Sequence, residues 1–196
     1  TARRDEGVEA LGDAEALLRE AVRLAAEDPV QIARLVDLLM ARARVDREKA
    51  PELRTEAKDL LERVIKGDRR TADAHLLMAT VLREEGGDPE RASWMLKKAR
   101  KLTERAHERN DRIDLEFALL ALMRGEIDEA EKEIRELGQK DPSNHRVFAA
   151  LAQLLEARQL FIPAHAEYLR ARERTSANSL ERQQYEYELA RLQAII

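Results

Sequence analysis

Phe117-Ala118-Leu119-Leu120-Ala121-Leu122-Met123-Arg124-Gly125-Glu126-Ile127-Asp128-Glu129-Ala130-Glu131-Lys132-Glu133-Ile134-Arg135-Glu136-Leu137 decides how this sequence is read, because its pattern returns 34 residues later. Phe117 recurs as Leu151, Ala118 as Ala152, Ala130 as Ala164, Ile134 as Tyr168 and Leu137 as Ala171. A fixed period of this length marks a repeat array, in which one helical pair cannot bury its apolar face alone and needs a stacked neighbour. The stretch from Asp114 to Ala171 is thus two copies of one unit, and the rest of the chain reads as further copies.

Composition agrees. The charged fraction is 38% and the hydrophobic fraction 44%, with seven Gly and five Pro in 196 residues, as in a mostly helical protein with a core. A net charge of −4 gives no general attraction to nucleic acid or an anionic membrane. The absence of Cys excludes disulfides and thiolate metal sites but leaves the compartment open between cytoplasm and periplasm. The longest apolar runs, such as Ala74 to Leu82, fall far short of the roughly 20 residues that span a bilayer, so no membrane insertion is expected. Thr1-Ala2-Arg3-Arg4-Asp5 offers neither an initiator Met nor an apolar leader, which is the expectation for a processed or excised chain.

Outward from the repeated pair, Gly125 falls between two helical patterns, where a residue tolerant of positive φ ends one helix and admits the next; the following copy has Gln159 there. Residues 12–29, from Gly12 to Asp28-Pro29, read as the second helix of a partial repeat. Whole repeats are expected at 30–66, 72–102, 112–142 and 145–174, with a capping helix at 179–196 that carries Tyr185, Leu189 and Leu192. Leu24 to Leu39, Val64 to Ala79 and Leu137 to Ala152 are each 15 apart. Against this constancy, Leu39 to Ala57 is 18 residues where Ala118 to Ala130 is 12, so about six residues are inserted around Arg44 to Pro51. Ala99 to Ala118 is 19, which places one extra helical turn within Lys101 to Arg112.

These residues resemble the tetratricopeptide repeat, whose helix-turn-helix units follow a W-x₂-L-G-x₂-Y, A-x₃-F, P pattern. Phe148-Ala149-Ala150-Leu151-Ala152-Gln153-Leu154-Leu155 with Ala164, Tyr168 and Ala171 carries the resemblance best, and Phe117-Ala118, Ala121, Gly125, Ala130, Ile134, Leu137 and Pro142 carry it in the preceding unit. Asp114 and His75 depart from it at the aromatic place of the first helix. The resemblance implies an all-α, right-handed superhelical array of antiparallel helix pairs with a concave wall built from the first helices. That wall is expected to present Val36 and Met40, Leu76 and Thr80, Leu115 and Leu119, and Ala149 and Gln153, with Arg83, Arg112 and Arg146 at its rim. Family members that bind chaperone tails hold carboxylates with Lys and Asn at such places, and this chain has neither there. An apolar strip suits an amphipathic helix or extended segment of a partner protein; the opposing expectation is that the strip is buried between helices of a tight superhelix.

Catalytic signatures are missing: the sequence has no G-x-S-x-G, no G-x₄-G-K-[ST] and no H-E-x-x-H. His75, His107, His145 and His165 share no helical turn, so neither metal nor cofactor is expected, and His75 reads as a packing residue. Carboxylates such as Glu129 and Glu133 read as a solvated face. Lys97-Lys98-Ala99-Arg100-Lys101, with Arg105, Arg109 and Arg112 after it and Trp94 before, reads either as a site for an anion or acidic partner or as a solvated helix face. The function expected is a non-catalytic protein-binding scaffold. A second expectation, from the apparent mid-repeat start and the apolar Ala194-Ile195-Ile196, is a helical arm of a bacterial cell-envelope or polysaccharide-export assembly.

Overall fold

The computed structural model describes residues 15–25, 28–67, 71–106, 110–177 and 179–196. Helix α1 covers 15–24, followed by α2 (Pro29–Val45), α3 (Ala50–Lys66), α4 (Ala72–Glu84), α5 (Pro89–Arg105), α6 (Asp111–Met123), α7 (Ile127–Lys140), α8 (His145–Ala157), α9 (Phe161–Glu173) and α10 (Leu180–Gln193). No strand occurs among the described residues. Gly12, where the partial repeat is expected to start, lies outside them.

Local chemistry sets the ends of these helices. Asp28, Thr71, Asp88, Asn110, Asn144 and Ser179 each accept a hydrogen bond from a backbone N–H of the first turn that follows. Pro29 and Pro89 open α2 and α5, where a missing N–H costs nothing. The turns inside three repeats share one geometry. Gly86, Gly125 and Gln159 take φ of 67°, 80° and 60°, and the next residue's N–H returns to a carbonyl five positions back: Gly87 to Leu82, Glu126 to Ala121, Leu160 to Leu155, at 2.8–3.0 Å.

Alanines make the stacking close. Ala57, Ala99, Ala118, Ala130, Ala152, Ala164 and Ala171 are fully buried, so the backbones of paired helices approach without an intervening side chain. Larger residues fill the spaces between pairs: Leu61, Met78 and Leu96 in the first half, Ile134 and Leu154 in the second. The first helices pack on one another in series, α2 on α4, α4 on α6 and α6 on α8, while the second helices make no comparable packing. An array tight on one side and splayed on the other curves, with the first helices inside.

Two irregularities gain a shape. Ala92, Ala130 and Ala164 are each the fourth residue of their helices, whereas Ala57 is the eighth of α3, so most of the six-residue insertion is an extra turn at the head of α3. By the same register the surplus of α5, 17 residues against 14 in α7 and 13 in α9, lies at its C-terminal end. The last helix does more than cover α9. It packs on α9 through Tyr185, Leu189 and Leu192 and also reaches α2, and the Arg47 guanidinium beyond α2 lies 5.4 Å from the centre of the Tyr187 ring. The array therefore closes back on its beginning.

Candidate functional site

Closure by α10 turns the inner wall into a cavity of about 390 Å³ bounded by α2, α4, α6, α8 and α10, with Leu18 of α1 at its edge. Met40, Leu76, Thr80, Arg83, Arg112, Leu115, Leu119, Arg146, Ala149 and Gln153 all line it. Val36 does not: it is fully buried in the core with Ile32 and Leu39. The apolar lining is sunk deep, with Leu76 at 1%, Met40 at 2% and Leu119 at 9% exposure, so these side chains offer tips rather than faces. The Thr80 hydroxyl donates to the Leu76 carbonyl at 3.2 Å.

Along the wall runs a chain of alternating charge. The Arg44 guanidinium donates to Glu84 at 2.6 Å, Arg83 sits 3.5 Å from the same carboxylate, and Arg83 Nε donates to Glu116 at 2.9 Å. Burial pushes the Glu84 carboxyl up, but Arg44 and Arg83 outweigh it and hold it below the usual carboxylate range. Burial likewise works against charge on Arg83, and Glu116 and Glu84 more than restore it. At the mouth, Arg112 of α6 lies 3.3 Å from Asp37 of α2, and Arg146 of α8 lies 3.7 Å from Glu181 of α10. Four of the five lining arginines are thus neutralised within the wall; Arg34, exposed, has no partner among the described residues. His145 and Tyr185 add a hydrogen bond of 2.8 Å between α8 and α10.

Tyr185 is kept protonated by burial, which pushes its hydroxyl well above the ordinary phenol value. Among the described residues no group of His, Asp or Glu is placed to hold a metal ion. The chemistry on offer is shape, apolar side-chain tips and hydrogen bonds from Gln153 and Gln184.

The basic stretch after Trp94 separates in space. Arg112 turns to the concave side, Arg100 donates to Asp114 at 2.8 Å and covers the Phe117 ring, and Lys98, Lys101 and Arg105 gather on the outer side. His107 and Arg109 lie outside the described residues.

Sequence reasoning missed the carboxylates Glu84 and Glu116. A signal existed: Arg83 and Glu116 are 33 residues apart, close to the repeat period, and Arg44 and Glu84 are 40 apart, that period stretched by the insertion. Opposite charges at one repeat's distance on first helices mark contacts along the inner wall.

No protein-family model and no curated protein sequence matches the chain. Among solved structures, TTC0263, a thermophilic TPR protein in Thermus thermophilus, superposes with a TM-score of 0.59 at 20% identity over 95% of this chain and 96% of that one. The chain has the tetratricopeptide-repeat fold. YrrB, described as a TPR protein with an unusual peptide-binding site, is similar at a TM-score of 0.46 and 18% identity, over 94% of this chain and 88% of that one. MamA is similar at 0.49 and 14%, over 88% and 86%. The last helix of this array adds Leu180, Glu181, Gln184 and Tyr185 to the lining of the concave cavity.

Proposed function

We propose that the chain is a non-catalytic scaffold that binds a protein partner at the concave cavity. The convergence of ten strip and rim residues from four first helices on one cavity carries this reading. The depth of the apolar lining favours one of the two occupants. A helix with side chains is about 10–12 Å across and would lay a broad face over side chains that are almost wholly sunk in the wall, Leu76 at 1% and Met40 at 2% exposure. An extended segment that inserts two or three apolar side chains against Met40, Leu76, Leu115 and Leu119 fits, with its backbone hydrogen-bonded by Gln153 and Gln184 at the mouth. Because most wall arginines are paired, the partner segment need not be acidic.

No helix among the described residues is long and apolar enough to cross a membrane. A protein partner is the class that the strip suits.

Panning a random peptide library on the wild-type chain, with counter-selection on Ala149→Trp, tests the reading. Ala149 lines the cavity, and the added ring fills it from inside. Peptides rich in apolar side chains that bind wild type and not Ala149→Trp are expected, with Leu119→Ala shifting their side-chain preference toward larger residues. Recovery only of peptides that bind both forms equally would overturn it.

A further inference from the structure

A second cavity, of about 540 Å³, lies on the outer side where the end of α3, the first turn of α4 and one face of α5 meet. Ile65 and Leu102 give it a partly buried apolar lining, and Lys66, Lys98, Lys101 and Arg105 surround it with exposed cations. Arg105 belongs to the extra turn of α5, so the irregular junction read in the sequence is what completes this site.

The cations differ in how far they are committed. Lys66 is paired with Glu62 at 2.7 Å, and Lys98 Nζ lies 5.0 Å from the centre of the Trp94 ring. Lys101 and Arg105 have no partner among the described residues. Three charges on α5 at relative positions 0, 3 and 7 extend over about 10 Å, given a rise of about 1.5 Å per residue. That is too long for one phosphate and suits carboxylates on alternate residues of an extended chain, about 6.5 Å apart. Trp94, half exposed, stands at one end of the row as an apolar platform. His75 supplies a polar group from the wall. Its Nδ1–H donates to the Thr71 carbonyl at 2.9 Å, so the proton is fixed on Nδ1, and Nε2 has no partner among the described residues.

We propose that this cavity is a second docking site, independent of the concave one, for an acidic segment of a partner protein: an apolar residue resting on Trp94, followed by carboxylates at alternate positions facing Lys98, Lys101 and Arg105. Charge complementarity carries the choice of occupant. A nucleic acid draws its affinity from many phosphate contacts, whereas this patch offers a few cations on a chain whose net charge is −4. A short acidic segment needs no more than the patch provides.

Trp94 is the one tryptophan of the sequence, so its fluorescence reports this site alone. The chain is titrated at low salt with a ten-residue peptide bearing one Phe followed by alternating Glu. A saturable change is expected, weakened at least tenfold in Lys101→Glu/Arg105→Glu, a pair that is exposed and unpartnered and whose circular dichroism should match wild type. Lys98 stays in that variant, so its contact with the ring is kept. Absence of a saturable change, or equal affinity in the charge-reversed variant, overturns the proposal. So does equal or tighter binding of inorganic phosphate or of a single-stranded oligonucleotide, which would make the site one for small anions or nucleic acid.

Discussion

His145 Nδ1 of α8 lies 2.8 Å from the Tyr185 hydroxyl of α10, and this bond joins the last helix to the inner wall at the edge of the concave cavity. Burial and the neighbouring Arg146 push the imidazole below its ordinary value, against the weaker opposing pull of Glu181, so at neutral pH the ring is uncharged and the phenol donates. A base whose folded-state pKa is depressed contributes stability that is complete above its unfolded value, about 6.5, and lost as pH falls through the lower folded value. Melting temperature should therefore drop between pH 7 and pH 5 by more in wild type than in His145→Gln. Parallel pH profiles for the two would contradict this assignment.

The Arg44–Glu84–Arg83–Glu116 chain predicts a stability cost that exposed pairs do not carry. Glu84→Ala strands two arginines in the cavity wall and should destabilise the chain by about 2 kcal/mol, less than the roughly 3–5 kcal/mol of a fully buried pair because Arg44 keeps some contact with solvent. Glu62→Ala, which breaks only surface pairs with Lys66 and Arg91, should leave the urea midpoint nearly unchanged. Denaturant titration of both variants makes the comparison.

Gln159 occupies at φ 60° the place that Gly86 and Gly125 hold in the other turns. An L residue there costs about 1–2 kcal/mol, and glycine returns part of that to the flexibility of the unfolded chain. Gln159→Gly should stabilise by about 0.5–1 kcal/mol, while Gly125→Ala should destabilise by a similar amount. Thermal melts of the two variants should move in opposite directions.

The fold was legible because its determinants are local and periodic. Ala118, Ala130, Ala152 and Ala164 recur where paired helices touch, and each is fully buried. Gly125 and Gln159 can be matched as turn residues from their spacing, since a turn needs positive φ at one fixed place. The concave residues followed from register along each helix, with Val36 as the exception: spacing of four places it on Met40's face but does not say which residues of that face meet the core. The grouping of Arg112 with Lys98 and Lys101 is the converse case, neighbours in sequence that face different cavities because they belong to different helices, α6 and α5. Contact between α10 and α2 had no local signal at all. It depends on rotation accumulated over four helix pairs, which no single segment encodes.

The most direct measurement of the concave site is site-specific photo-crosslinking with a peptide selected on wild type. A benzophenone side chain at Gln153, within the cavity lining, should capture the peptide, and the same group at Lys132, exposed on α7, should not. Capture from Lys132, or from neither position while the peptide still binds, would contradict a partner site inside the closed array.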